Sequence, residues 1–402
     1  MCSNFFNKNI PACLFLLIII ISSCSSKESN EVANEGQHVI KIDDLTDVSN
    51  LSFSKVVDSV FYLPLETSEE VLMGQIESLQ VVDERIFVSD ITSKSLFSFD
   101  MDGRLITKYS AVGEGPGEFS TINSFTINPE RKEVVIAGAG KILFYDYEGE
   151  FLREFKTVLS GSMAVAYTGN NRLMAYTNYK IHDEKQGANN VVFLDYETGD
   201  VISANLSFNP KARVENMTSF FNNISGLQGT SKYLSIPYRN TVWQVSGEEV
   251  DTFFTVDFGD NALPDSFEDE FLSNSKVTSG KLREIERNNA WYRIKGGGAQ
   301  INNRYVNFSY AGKDSQFIEV FFDKRNDQGY SFKVPLENDI DGAKFVVQRS
   351  AYENYFISIA SPEVLLGLGD KVADLNILGD GLEIDGNPVL RFVAYNFEHF
   401  QK

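Results

Sequence analysis

Phe99-Asp100-Met101-Asp102-Gly103-Arg104 reads as a strand running into a tight turn, and the chain uses it more than once. It returns as Tyr145-Asp146-Tyr147-Glu148-Gly149-Glu150 and as Leu194-Asp195-Tyr196-Glu197-Thr198-Gly199-Asp200, with a weaker copy in Gln244-Val245-Ser246-Gly247-Glu248. Gly103, Gly149, Gly199 and Gly247 stand at intervals of 46, 50 and 48 residues. An acidic residue beside glycine between two apolar runs is a hairpin signal, because glycine supplies the positive φ that the turn requires. Each turn follows a run such as Ser95–Phe99 or Lys141–Tyr145 and leads into another strand.

Two earlier strands precede each hairpin. In the first repeat they are Ile76–Val82 and Arg85–Ser89, and in the second Ile122–Ile127 and Glu133–Ala137. Four antiparallel strands per repeat of this length is the arithmetic of a β-propeller blade. One such sheet cannot bury both faces alone, so neighbours must cover it and the ring must close. A fifth repeat contains Tyr305–Tyr310 and Phe317–Asp323, with Gly329 read as its turn glycine, 82 residues after Gly247. The excess falls on Pro264–Asn289, the most helical part of the mature chain, with Ser266 as a candidate cap and Leu282 and Ile285 on one face. The sixth repeat supplies Asn354–Ile359 and Val389–Tyr395, after which no strand follows. Its outer strand must come from the N-terminus, from Val60-Phe61-Tyr62-Leu63-Pro64-Leu65. The expected fold is all-β: a six-bladed β-propeller over residues 38–402, with a short helical insertion at about 264–289 between blades 4 and 5.

Composition limits the chemistry. The 402 residues carry 36 basic against 56 acidic side chains, a net charge of −20, which argues against a nucleic-acid partner. Three histidines, His38, His182 and His399, leave little for imidazole catalysis or metal binding.

At the N-terminus, Ala12–Ile21 is a ten-residue apolar run, about 15 Å as a helix and half of a bilayer core of about 30 Å. That length suits the apolar region of a secretory signal. Ile21-Ser22-Ser23-Cys24 follows and resembles the bacterial lipobox, which makes residues 1–23 a lipoprotein signal peptide and Cys24 the lipidated residue. Cys2 and Cys13 leave with the signal, so the mature chain holds no free thiol or disulfide, as fits an exported protein. Acyl chains at about 0.8 kcal/mol per buried CH2 anchor it to a membrane. Residues 24–37 read as a polar tether. A bacterial cell-envelope location, on the outer membrane, is the expectation.

These features together match a known pattern. The chain resembles the six-bladed β-propeller lipoproteins of Bacteroidetes-type bacteria, a family of largely unknown function. The resemblance rests on the lipobox, Phe61-Tyr62-Leu63-Pro64-Leu65-Glu66-Thr67, Gly113-Glu114-Gly115-Pro116-Gly117-Glu118-Phe119, and Asn387-Pro388-Val389-Leu390 opening the final strand. It implies the fold and the envelope location and supplies no catalytic residues.

No catalytic residue, metal ligand or cofactor motif is assigned. Gly113–Glu118 lacks the Gly-Lys-Ser/Thr of a phosphate-binding loop and reads as an inter-blade turn. Gly296-Gly297-Gly298 reads as a connector. Asp100-x-Asp102-Gly103 and Asp339-x-Asp341-Gly342 resemble the opening of calcium loops, but Ala111 and Ser350 stand where the closing glutamate belongs.

One constellation points to binding. In a propeller the loops joining strands 2 and 3 of each blade, and those joining blades, open on one face. Aligned on the repeats, Asp90, Tyr179, Tyr238, Arg239 and Tyr310 fall near that face, with Glu114 and Glu118. Aromatic rings with polar tips beside charges suit a sugar or peptide, although 17 tyrosines make chance alignment easy. The leading expectation is a non-enzymatic binding or scaffold module for a glycan, peptide or envelope protein. The alternative is a hydrolase or lyase acting on a polysaccharide or lactone.

Overall fold

The computed structural model describes residues 38–400 except 111, 139, 158, 160–163, 214–222, 227–228, 312–315, 341, 343–347 and 368–381. Cys24, with the signal and tether readings, lies outside the described residues, as do Ala111 and Asp341. Three strands open the described residues: β1 (Val39–Lys41), β2 (Thr46–Asp47) and β3 (Val57–Pro64). Blade 1 is β4 (Ile76–Val82), β5 (Arg85–Asp90), β6 (Ser95–Phe99) and β7 (Leu105–Tyr109). Blade 2 is β8 (Ser124–Asn128), β9 (Glu133–Gly138), β10 (Lys141–Asp146) and β11 (Phe151–Lys156). Blade 3 is β12 (Ala164–Gly169), β13 (Arg172–Tyr176), β14 (Asn189–Asp195) and β15 (Val201–Ser207). Blade 4 is β16 (Ile224–Ser225), β17 (Lys232–Ser235), β18 (Thr241–Ser246) and β19 (Glu249–Asp257). Blade 5 is β20 (Ile294–Ile301), β21 (Tyr305–Ala311), β22 (Phe317–Asp323) and β23 (Gln328–Lys333), and blade 6 has β24 (Ser350–Tyr352), β25 (Tyr355–Ala360) and β26 (Val389–Tyr395).

The fourth strand of blade 6 is β3, antiparallel to β26 with Phe61 opposite Phe392. Their rings stack at 4.3 Å with planes 10° apart. A strand from the N-terminal segment thus completes the last blade, and the closure expected from the sequence is the one observed.

Burial follows the blade interfaces. Leu96 and Val134 meet between blades 1 and 2, Phe144 and Tyr167 between 2 and 3, Phe193 and Trp243 between 3 and 4. Phe254 and Phe308 meet between 4 and 5, Phe321 and Phe356 between 5 and 6, and Phe392 and Val88 between 6 and 1. Six packed seams in a ring leave no sheet with a bare face, which is why the large side chains of every blade can be apolar on both sides.

The N-terminal segment does more than close the ring. β1 pairs parallel with β19, Val39 opposite Thr255, and β2 pairs parallel with β23, Thr46 opposite Tyr330, so blades 4 and 5 have five strands. Gly329 is accordingly in β23 rather than in a turn, and a Cβ there would sit 2.2 Å from Leu45, whose side chain occupies that space. The turn itself is residues 324–327, where Asp327 takes a positive φ of 59°. Gly103, by contrast, is the turn glycine the repeat predicts: its φ is +80°, and a Cβ would meet the Pro64 carbonyl oxygen at 2.2 Å. Ser54 donates to Asp339 from its backbone N (2.8 Å) and its hydroxyl (2.6 Å), fastening the same segment to the connection after blade 5.

The insertion holds one turn at Glu268–Leu272 and helix α1 (Ser279–Asn288). Ser266 does not cap the first; Thr278 caps the second, its hydroxyl accepting from Lys281 N at 3.3 Å. A short helix, α2 (Pro362–Leu366), follows β25. Gly296–Gly298 lie inside β20, the innermost strand of blade 5, where the register against β21 breaks between Lys295 and Gln300. The expected connector is a strand bulge, for which glycine's backbone freedom is suited.

Candidate functional site

The two faces of the ring are built differently. Turns between strands 1 and 2, such as 83–84, 170–171 and 353–354, lie on one face with those between strands 3 and 4, and none exceeds six residues. The connections between strands 2 and 3 and between blades open on the other face, and their described parts include 112–123, 177–188, 208–213, 258–293, 334–340 and 361–367. All seven residues aligned from the sequence lie in, or at the strand ends beside, these long-face connections.

Their surroundings differ from an open platform. Asp90 is fully buried; its carboxylate accepts from Gln75 N (2.7 Å), Thr92 N (3.3 Å) and Ser93 N (2.9 Å). Burial would raise its pKa, but the hydrogen bonds from Ser93, Gln75 and Gly74 outweigh it and hold the carboxyl below the usual range. Its work is to fix the β5–β6 turn. Glu114 and Glu118 are exposed, and the loop around them is tied to blade 2. Lys141 Nζ donates to the Glu114 and Gly115 carbonyls at 3.1 and 2.9 Å, and the Glu118 carboxylate accepts from Gly115 N at 2.8 Å. Gly113–Glu118 is the inter-blade turn the sequence indicates.

Tyr179, Tyr238 and Arg239 come together beneath the insertion. Tyr179 is buried, with its hydroxyl donating to Pro237 O at 3.0 Å. Tyr238 stacks on Phe267 of the insertion at 5.2 Å, and Arg239 pairs with Glu268 at 3.2 Å. Tyr310 lies apart from these, buried edge-on against Phe258 at 5.4 Å and beside Tyr292 at 5.6 Å; burial pushes its phenol up to about 12. None of the three tyrosines offers a bare ring to solvent. Each packs against the connection between blades 4 and 5 or against its neighbouring loop. A sequence shows a tyrosine at a strand end but not the segment, thirty residues away, that will cover it.

The sequence reading missed a cationic network at the same place. Glu286, on the buried side of α1, accepts from Arg293 Nε at 2.6 Å and from Lys295 Nζ at 3.1 Å. The Arg293 guanidinium also lies over the Tyr238 ring at 4.4 Å. Burial and the Arg293 charge push the Lys295 ammonium down, while Glu286 holds it up. Burial raises the Tyr238 phenol against the charges of Arg293 and of Arg283, which is exposed on α1 one turn before Glu286. Two cations, Arg293 and Lys295, therefore share one buried carboxylate, in a chain whose net charge is −20. The signal in the sequence is Arg283-x-x-Glu286 followed by Arg293-x-Lys295, and only the fold turns those residues toward one another.

Elsewhere, Glu319 of β22 is buried, with Asn307 Nδ2 donating to it at 2.9 Å, and burial pushes its carboxyl up to about 7. Asp100 accepts from Asp102 N and Arg104 N, the geometry of a hairpin turn. Among the described residues no group of three or more His, Cys, Asp or Glu is placed to hold a metal ion. Nor is any described helix long and apolar enough to cross a membrane.

Six blades of four antiparallel strands in a ring, the last completed by an N-terminal strand, define a six-bladed β-propeller. The chain belongs to a domain family of unknown function, DUF4934, whose model matches residues 37–394. Among solved structures it is similar to a Bacteroides fragilis protein described as exported, at 16% identity and a TM-score of 0.70, covering 89% of this chain and all of that one. It is also similar to a DUF4221-family member from Bacteroides vulgatus, at 10% identity and a TM-score of 0.49, covering 85% of this chain and 97% of that one. No curated protein matches the sequence.

Proposed function

We propose that this propeller is a non-enzymatic binding module of the bacterial cell envelope, anchored by lipid at Cys24, whose long-loop face receives a glycan, peptide or partner protein carrying anionic groups. The observation that carries the proposal is the pairing of Arg293 and Lys295 with a single buried carboxylate, Glu286, beneath a helix that also exposes Arg283, on the long-loop face of the ring. Loops on a rigid scaffold are where recognition is normally placed, and two cations sharing one carboxylate leave a positive charge that draws an anion. The exported Bacteroides fragilis relative supports an envelope location, as does the lipobox.

The test is retention of acidic and neutral polysaccharides and of envelope extract on the immobilised protein, compared with an Arg283→Glu variant. Arg283 is exposed, so reversing its charge does not disturb the core. Acidic ligands should be retained by the natural protein and lost by the variant, with no depolymerised product released. Equal retention of neutral and acidic ligands, or retention unchanged in the variant, refutes the reading. For the anchor, Cys24→Ala should move the protein from the membrane fraction to the soluble one.

A further inference from the structure

The face of short turns holds a cleft of about 230 Å³ between blades 4, 5 and 6, walled by Ser231, Tyr233, Asn302, Asn303, Lys324 and Glu353 among others. Its backbone frame is tied without a ligand. Asn302 Nδ2 donates to Asn354 O and Asn303 N donates to Glu353 O, both at 2.8 Å, which joins the turn of blade 5 to that of blade 6. Lys324 is held by its backbone N on Arg304 O (3.0 Å) and by Nζ on Asn302 O (2.6 Å).

What the walls leave unused is polar. An ammonium has three donors, and Lys324 Nζ spends one of them on Asn302. The Asn303 amide, the Glu353 carboxylate and the Tyr233 phenol make no hydrogen bond to another described residue, and Ser231 Oγ receives only a 3.5 Å contact from Gln244. Lys324 and Glu353 come from different blades and form no ion pair with one another.

We propose that this cleft binds a neutral polyhydroxylated ligand the size of one monosaccharide. A hydroxyl both donates and accepts, so a ring of adjacent hydroxyls serves the carboxylate, the ammonium, the amide and the phenol together. A singly charged ligand would satisfy one of Lys324 and Glu353 and be repelled by the other. An apolar ligand would strand all of these groups, taking away their water and giving no partner in its place. The volume sets the size: room for roughly seven waters at about 30 Å³ each, and below the ~300 Å³ at which sites for drug-sized ligands begin. This site stands at the opposite ends of the strands from Arg293 and Lys295, so its success or failure is independent of the function proposed above.

Saturation-transfer NMR on the full chain in detergent, with glucose, galactose, mannose and N-acetylglucosamine as probes and alanine and glutamate as charged comparators, tests the proposal. Asn303→Ala and Glu353→Gln change exposed side chains, and near-UV circular dichroism reports whether each variant keeps its fold. At least one sugar should receive saturation, and each folded variant should weaken it about tenfold, the effect of one lost hydrogen bond of roughly 1.4 kcal/mol. The proposal is overturned if no sugar receives saturation, if the amino acids bind and the sugars do not, or if both variants bind the sugar as the natural chain does.

Discussion

Replacing Phe392 by alanine removes the side chain on which ring closure turns. Phe392 is fully buried at the seam between blades 6 and 1, packed with Leu79, Val88, Phe97 and Phe99 of blade 1, and stacked on Phe61 of β3. A buried Phe→Ala change costs about 3–5 kcal/mol, and the aromatic pair adds about 0.5–1.5 kcal/mol beyond area. The expected loss is therefore about 4–5 kcal/mol, a large part of the ~5–15 kcal/mol that holds a domain together. Phe61 is 37% exposed, so Phe61→Ala alone should cost about 1–2 kcal/mol. Urea denaturation of both single variants and the double variant measures these values. The double variant should lose about 1 kcal/mol less than the sum of the two, because the stacking interaction is counted once. A loss below about 1 kcal/mol for Phe392→Ala, or strict additivity in the double variant, would refute a closure made by these two strands.

Glu319→Gln tests a buried carboxyl by pH. The folded pKa of Glu319 is raised from 4.5 to about 7, so the natural protein has its full stability below 4.5, loses it between 4.5 and 7, and carries the whole penalty above 7. The variant keeps an acceptor for Asn307, and thermal melts should find it equal to the natural chain at pH 4 and more stable at pH 8, by on the order of 3 kcal/mol; equal melts at pH 8 would contradict this. Glu286→Gln weakens the partner of Arg293 and Lys295, and breaking a buried pair costs about 3–5 kcal/mol. Limited proteolysis should then cut first within 264–289, and cleavage first at the outer edge of blade 1 would count against it. Gly329→Leu places a side chain where Leu45 lies, and hydrogen exchange should show residues 39–47 losing protection while blade 1 keeps its own; unchanged protection of β1 and β2 would show that they are held by something else.

Much of the architecture is local and therefore readable. The hairpin turns at Gly103, Gly149, Gly199 and Gly247 announce themselves through residue type, and the strand count follows from their spacing. β3 contains the run Val60-Phe61-Tyr62-Leu63, which is enough to identify it before its partner is known. β1 and β2, of three and two residues, have no such signature. Their pairing is parallel and spans more than two hundred residues, so nothing near them in the chain specifies it. The repeats keep glycine in the turn, and by that pattern Gly329 reads as a turn residue, but blade 5 uses Asp327 at positive φ and places the glycine against Leu45. The candidate site was legible as a face and not as a surface. Tyr179, Tyr238, Arg239 and Tyr310 belong to the long-loop side as aligned, yet Phe267, Glu268 and Phe258 cover them, and covering is a long-range property that residue type does not encode. Arg293 and Lys295 escaped notice for the same reason: they meet Glu286 only after α1 folds back.

Ser59 and Ala394 stand directly opposite one another across the closing pair of strands. Cysteines placed at both positions, in a chain beginning at Glu28 and therefore free of Cys2, Cys13 and Cys24, should join on oxidation within one molecule. Mass spectrometry should then find the monomer lighter by two hydrogens, with a cross-linked peptide containing both positions. Two free thiols after oxidation, or disulfides only between molecules, would mean that head and tail do not share a sheet.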